Sequence, residues 1–319
     1  MNNRTVLVLL GWLSVGLSAS PALAQQKGLG SVAVDYQYIH SDLFIDDVGE
    51  YDYWSTDTKI LLFSGDYTFA DKWTVFVALP YIEKRFVSEV DWGGDPHNPN
   101  DPWWIDFVPP DTRFIDDGAY HGGFQDLSMS ISYRALDGPL TLSPYIGYGV
   151  PVDDYPFYAK AAIGTNLWTV PVGASFSYIP YFDDWYVDGN VAYVFSEQPL
   201  GINVDYWSVH LSAGYWFRPN FSMNLFAGLR YVIDGLVMPW SFSDDPTYSD
   251  YPDAYDTEEW YNHDRVLANR NLNMGVGFNY FFNEKYSVSG SFYKGVWAEQ
   301  SSKPDRAFTL GFARHFGQE

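Results

Sequence analysis

Between Gly30 and Phe316 one pattern keeps returning: short segments in which apolar and polar side chains alternate residue by residue. Residues 125–134, QDLSMSISYR, show it plainly. Leu127, Met129, Ile131 and Tyr133 share one parity; Asp126, Ser128, Ser130, Ser132 and Arg134 share the other. Alternation with period two means an extended strand with one apolar and one wet face. The chain carries about twelve such segments of roughly nine to eleven residues, the length a tilted strand needs to cross a bilayer. A soluble sandwich turns its apolar faces inward, whereas a transmembrane barrel turns them out to lipid.

The connections separate these two folds. Short links built from turn residues, Ala70-Asp71-Lys72, Leu136-Asp137-Gly138, Arg218-Pro219-Asn220 and Phe282-Asn283-Glu284-Lys285, alternate with long ones at 41–55, 87–122, 151–167, 234–269 and 295–305. The Ile179–Asp184 link is slightly longer than the other short ones, and that near 196–203 is the shortest of the long set. Short periplasmic turns with long external loops are the outer-membrane barrel arrangement, and a sandwich has no reason to alternate them. Charges respect the parity as well. Lys59, Lys294 and Arg314 are the apolar-parity exceptions, and each falls near a strand end, where a long side chain can reach the interface. Aromatic residues are 19% of the chain, with 26 Tyr and 13 Trp, enough to supply girdles at both interfaces. They recur at strand ends, as at Trp73, Tyr81, Tyr133, Trp168, Tyr178, Trp185, Tyr215 and Tyr231.

The first residues, MNNRTVLVLLGWLSVGLSASPALA, combine a basic start, an apolar core and an Ala-Leu-Ala end. Residues 1–24 are therefore expected to be a cleaved secretory signal peptide, leaving residues 25–319 as one barrel domain. No later run approaches the length of a membrane-spanning helix, so a spanning chain must close a barrel. The chain has no Cys, which excludes disulfide scaffolding and thiol chemistry. A net charge of −22 argues against nucleic acid as a partner. The final strand carries Phe308, Leu310, Phe312 and Phe316 on one parity, like the aromatic-ended strand that barrel-assembly machinery reads, here followed by three more residues. The expected fold is all-β: an antiparallel transmembrane barrel of about twelve strands in the bacterial outer membrane, with short periplasmic turns and long acidic external loops.

The run from Gly122 to Pro151, GGFQDLSMSISYRALDGPLTLSPYIGYGVP, together with the segments AIGTNLWTVPVGASFSY and WYVDGNVAYVF, resembles the outer-membrane proteins grouped under the meta-pathway of phenol degradation. The resemblance covers the chain from Gly122 to its end. It implies a transporter or channel for small aromatic or other apolar compounds, and it carries no catalytic residues.

On a barrel, the wet parity lines the path. Asp35, Asp66, Asp126, Arg134, Asp188, His210 and Arg230 are the side chains expected to face it and to set solute and ion selectivity, the acids favouring cations. Pro144 and Pro171 lie in consecutive strands and fold nearly opposite each other about their loop. Each removes a ladder N–H, so this seam is a candidate lateral gate, with a pair of curvature-adjusting bulges as the plainer reading. The long loops mix carboxylates with aromatic rings. They read either as a rim whose carboxylates hold divalent cations against lipopolysaccharide phosphates, or as a solvated rim without ligand. No cofactor, metal site or catalytic set is expected: His210 lies between Ser208 and Ser212, but these are two residues away on one strand and all point inward. The expected partners are a small solute, outer-membrane lipid and lipopolysaccharide, and the barrel-assembly machinery. A passive channel or transporter is the leading reading; a barrel enzyme and an adhesive or structural barrel are the alternatives.

Overall fold

The computed structural model describes residues 27–45, 50–51, 54–88, 115–157, 160–237, 262 and 264–317. Residues 1–24, expected to be a signal peptide, and much of the acidic loops, on which the lipopolysaccharide expectation falls, lie outside these residues. The strand segments in chain order are β1 (Gly30–Ser41), β2 (Leu43–Ile45), β3 (Glu50–Tyr51), β4 (Trp54–Ala70), β5 (Trp73–Ser88), β6 (His121–Phe124), β7 (Asp126–Tyr133) and β8 (Leu140–Pro151). They continue with β9 (Thr169–Tyr178), β10 (Trp185–Ser196), β11 (Tyr206–Arg218), β12 (Phe221–Val232), β13 (Arg270–Phe281), β14 (Tyr286–Glu299), β15 (Ser301–Lys303) and β16 (Arg306–Phe316).

All but three of these segments form one closed antiparallel ring. Successive strands pair around it, and β16 returns to β1 with Gly30 opposite Phe316 and His40 opposite Arg306. Closure leaves no strand edge to be solvated, which is what permits strands to cross lipid. Segments β6 and β7 are one stave, since both pair with β5. Their break follows from Pro80 on β5, which has no N–H to offer that seam. The partners jump from Ala78 opposite Ser128 to Tyr81 opposite Phe124, so one extra residue bulges out. The Gln125 N–H at the bulge donates to the Pro80 carbonyl at 3.0 Å. The ring thus has twelve staves. The small sheet of β2, β3 and β15 sits beyond the ring, at the long-loop end.

The stave lengths depart from the sequence expectation on one side. Strands β4 and β5 run for 17 and 16 residues. Their outer ends continue as a polar ribbon beyond the lipid band, carried by Arg85 and His40 converging on the Asp57 carboxylate at 2.6 and 2.7 Å. Lys59, the charge on the apolar parity, rests here over the Tyr120 ring at 3.5 Å. Lys294 likewise pairs with Asp305 at 2.9 Å at the outer end of β14.

The outward parity forms a continuous apolar belt that includes Val34, Phe63, Val77, Met129, Ile146, Leu211, Leu225, Val276 and Leu310, all exposed. A soluble protein does not present a belt of this extent to water. At its periplasmic edge lie the ring pairs Tyr67–Phe316, Trp73–Tyr133, Tyr178–Trp185 and Tyr286–Phe312. Tyr81–Phe124 and Tyr193–Trp207 mark the outer edge. The belt and closed ring place the chain in the bacterial outer membrane.

The inward parity is polar at the periplasmic half, where Ser31, Thr68, Thr74, Ser132, Ser177, Ser222 and Asn279 are buried. These small side chains leave room for an inward row of rings, Tyr186–Trp216–Phe281–His315, with successive centroids 6.0, 6.0 and 6.1 Å apart. Alternation implies a wet inner face along its whole length, but the outer part of β8–β12 differs. Tyr145, Ala192, Val194, Tyr206 and Val232 turn inward there and form an apolar cluster with Leu167, Val204 and Val266 from the connections. The loops fold into the barrel mouth, so these inward residues meet protein rather than water.

Candidate functional site

A cavity of about 220 Å3 lies in the outer half of the barrel, beneath the inward-folded connections 160–167 and 264–269. Its strand-borne wall comes from β1, β4, β5, β7, β9, β10, β11, β12 and β16, and its roof from the two connections. The roof is tied down by groups that strand periodicity cannot place. The Asp116 carboxylate accepts the Lys160 and Ala161 N–H groups at 3.0 and 2.7 Å. Lys84 donates to the Ala162 carbonyl at 3.3 Å and Gln125 to the Ile163 carbonyl at 2.7 Å. Arg265 caps the turn by donating to the Thr165 and Asn166 carbonyls at 3.0 and 2.6 Å, and lies 4.0 Å over the Phe157 ring. Lys160 also donates to Asp264 at 3.3 Å, which joins the two connections.

Two ionisable groups that brace this roof, Asp116 and Tyr155, lie outside the spanning strands. Burial pushes the Asp116 carboxyl above its ordinary range, against the opposing effect of the two N–H bonds it accepts. Burial, followed by the adjoining Asp126 charge, pushes the Tyr155 hydroxyl well up. That hydroxyl donates to Asp126 at 2.5 Å and accepts the Asn166 N–H at 3.0 Å, so it pins the roof to the barrel wall. Gly164 permits the close approach: a Cβ there would lie 2.7 Å from the Tyr155 oxygen and closer still to the Gln125 amide.

All seven residues expected on the wet parity are inward. Asp35, Asp126 and Arg230 share the cavity. Asp35 lies across Gly311, its partner on β16, where a Cβ would collide with the carboxylate. Arg230 stacks its guanidinium 3.9 Å over the Tyr206 ring. The other four stand elsewhere on the lumen wall. Asp188 is 1% exposed and opposite Ser212, and His210 is opposite Asn190 with its ring 5.8 Å from Phe226. Near the periplasmic end, Asp66 accepts a hydrogen bond from Ser31 and Arg134 faces Asp137 at 3.6 Å. Arg134 is buried there, 5% exposed.

The two prolines are not opposite each other. Pro144 is paired with Ala174 and exposed, while Pro171 is buried and rests against Gly147. The ladder register leaves Pro171 three positions short of the Ala174 that faces Pro144. The seam still lapses: pairing stops after Ile146–Val172 and resumes at Gly149–Thr169.

The sequence reading missed Ser287, whose hydroxyl lies 3.0 Å from His315 Nε2. Both are buried, and the far ring nitrogen of His315 has no partner, so the pair lacks the orienting acid a nucleophile would need. Among the described residues no three His, Asp or Glu side chains gather as a metal site.

No known family profile matches the chain, and no curated protein sequence does. Solved structures do match in fold. An outer membrane channel from Pseudomonas putida F1 superposes with a TM-score of 0.61 at 14% identity, over 91% of this chain and 96% of that one. The translocator domain of the autotransporter NalP from Neisseria meningitidis gives 0.46 at 11% identity, over 91% and 89%. The monoaromatic hydrocarbon channel CymD gives 0.44 at 12% identity, over 93% and 91%. The first of these likenesses establishes a shared fold, and the chain is a twelve-stranded outer-membrane β-barrel.

Proposed function

We propose that this barrel is a passive channel for small solutes across the outer membrane. The observation that carries the reading is the cavity itself: a closed ring of strands holds a chamber of mixed polarity under two connections folded in from outside. Ile60, Leu62, Val204 and Leu267 give it apolar wall, while Asp35, Asp126 and Arg230 give it charge. This mixture suits a small organic solute better than a bare ion. The roof covers the cavity from the long-loop side, and in this reading passage requires it to lift. Asp35, Asp66, Asp126, Arg134, Asp188, His210 and Arg230 then line the route and set its selectivity. Purified barrel in planar bilayers should show discrete conductance steps; a preparation that is folded yet silent at all voltages would defeat the channel reading.

A second exit is favoured by the lapse in the β8–β9 ladder. Here Pro171 withholds an N–H, and pairing skips from Ile146–Val172 to Gly149–Thr169. In this reading an apolar solute leaves sideways between Pro144 and Pro171 into the bilayer.

A further inference from the structure

Most charged groups around the cavity are satisfied by the protein. Asp126 is held by Tyr155, Asp264 by Lys160, and Arg265 by the roof carbonyls. Three cavity-lining side chains carry a buried polar atom with no hydrogen-bond partner: Asp35 at Oδ2, Gln37 at Oε1 and Arg230 at Nε. Asp35 and Gln37 are 8% and 3% exposed, so their unmet oxygens are not rescued by bulk solvent. A native protein rarely leaves such atoms unpaired without a ligand or ordered water to meet them.

The three are not scattered. Asp35 and Gln37 are on β1, two residues apart and on one face, while Arg230 is on β12, four staves round the ring. Asp35 puts negative charge on one part of the chamber wall and Arg230 positive charge on another. Gln37 commits its amide nitrogen to the Tyr293 hydroxyl at 3.0 Å and to Thr309 at 3.3 Å, which leaves its oxygen as the unmet group. Arg230 is held by the Tyr206 ring and, among the described residues, by no carboxylate. The same chamber is lined by Ile60, Leu62, Val204 and Leu267.

Resting on the channel reading, we propose that the cavity is a binding subsite for a small zwitterion. Its ammonium faces Asp35 and Gln37, its carboxylate faces Arg230, and a short hydrocarbon spacer lies on the apolar wall. Charge complementarity excludes the simpler solutes. An anion alone satisfies Arg230 but confronts Asp35 and Asp126. A cation alone satisfies Asp35 but confronts Arg230 and Arg265. A neutral apolar molecule leaves all three atoms unmet.

The test is titration calorimetry on the detergent-solubilised full barrel at neutral pH, with 5-aminopentanoate, pentylamine and pentanoate, which share one carbon chain. Wild type should bind 5-aminopentanoate about tenfold or more tightly than either other probe, the factor expected for one charge-assisted hydrogen bond. Arg230→Gln should weaken 5-aminopentanoate and pentanoate but not pentylamine; Asp35→Asn should weaken 5-aminopentanoate and pentylamine but not pentanoate. Arg230→Lys should recover part of the loss. Equal binding of a singly charged probe to wild type, or no binding of any probe, overturns the proposal. So does parallel loss of all three in a variant whose unboiled gel mobility shows an intact barrel. Conductance of the same preparation separates the two readings: steps without zwitterion binding sink the subsite alone, whereas silence sinks the channel.

Discussion

A single glycine shows how tightly the lower lumen is specified. Tyr186 is buried and lies over Gly214, its cross-strand partner, and a Cβ at 214 would run into the phenol ring. The ring cannot retreat, because Trp216 and Ser222 hem it in. Gly214→Ala should therefore destabilise the folded barrel by about 1–3 kcal/mol, the usual cost of overpacking, visible as a lower denaturant midpoint in lipid vesicles. At Asp188 the expected effect is on selectivity. Under the channel reading, Asp188→Asn should lower the cation-to-anion permeability ratio while single-channel conductance persists; an unchanged reversal potential would remove Asp188 from the path. That both residues point inward was readable from parity. That Asp35, Asp126 and Arg230 share one chamber was not, because strand alternation carries no information about how far around or along the ring two residues lie.

Among the elements, the roof is where pH should act. Asp116 holds the Lys160 and Ala161 N–H groups, and burial raises its carboxyl above the value of an unfolded chain. A raised folded value contributes stability that is complete below the unfolded carboxylate range and is lost as pH rises through the folded value. Amide protection at residues 160–167 should therefore fall as pH climbs above the ordinary carboxylate range. Asp116→Asn should flatten that dependence. The β8–β9 seam offers a second test at this scale. Replacing Pro144 and Pro171 together with Val restores two N–H groups to the ladder and should slow uptake of an apolar solute into proteoliposomes; undiminished uptake would dispose of the lateral exit. The roof left almost no trace in the sequence. Its hydrogen bonds join residues up to 104 positions apart, and no local periodicity encodes such pairings.

For the whole molecule the decisive feature is the outward belt. Leu225 and Val276 are paired across β12 and β13 at mid-strand, and both are exposed. Leu225→Arg should cost about 2–4 kcal/mol of folding free energy in a bilayer, the penalty for a cation at the midplane. An inward position such as Ser212 should tolerate a polar change far better. A fluorescence-monitored unfolding titration in lipid vesicles distinguishes the two, and equal costs at both positions would contradict the assignment of faces.

Sequence alone determined the alternation, the short and long connections and the aromatic strand ends, hence an outer-membrane barrel of about twelve staves with a known inner parity. Those features are local: each follows from period-two geometry and turn chemistry within a dozen residues. Tertiary structure decided what the barrel encloses. The apolar patch on the inner face of β8–β12, the folded-in roof, the offset of Pro144 from Pro171 and the chamber joining Asp35 to Arg230 all depend on register around a closed ring. That register is settled only when every strand has found both neighbours.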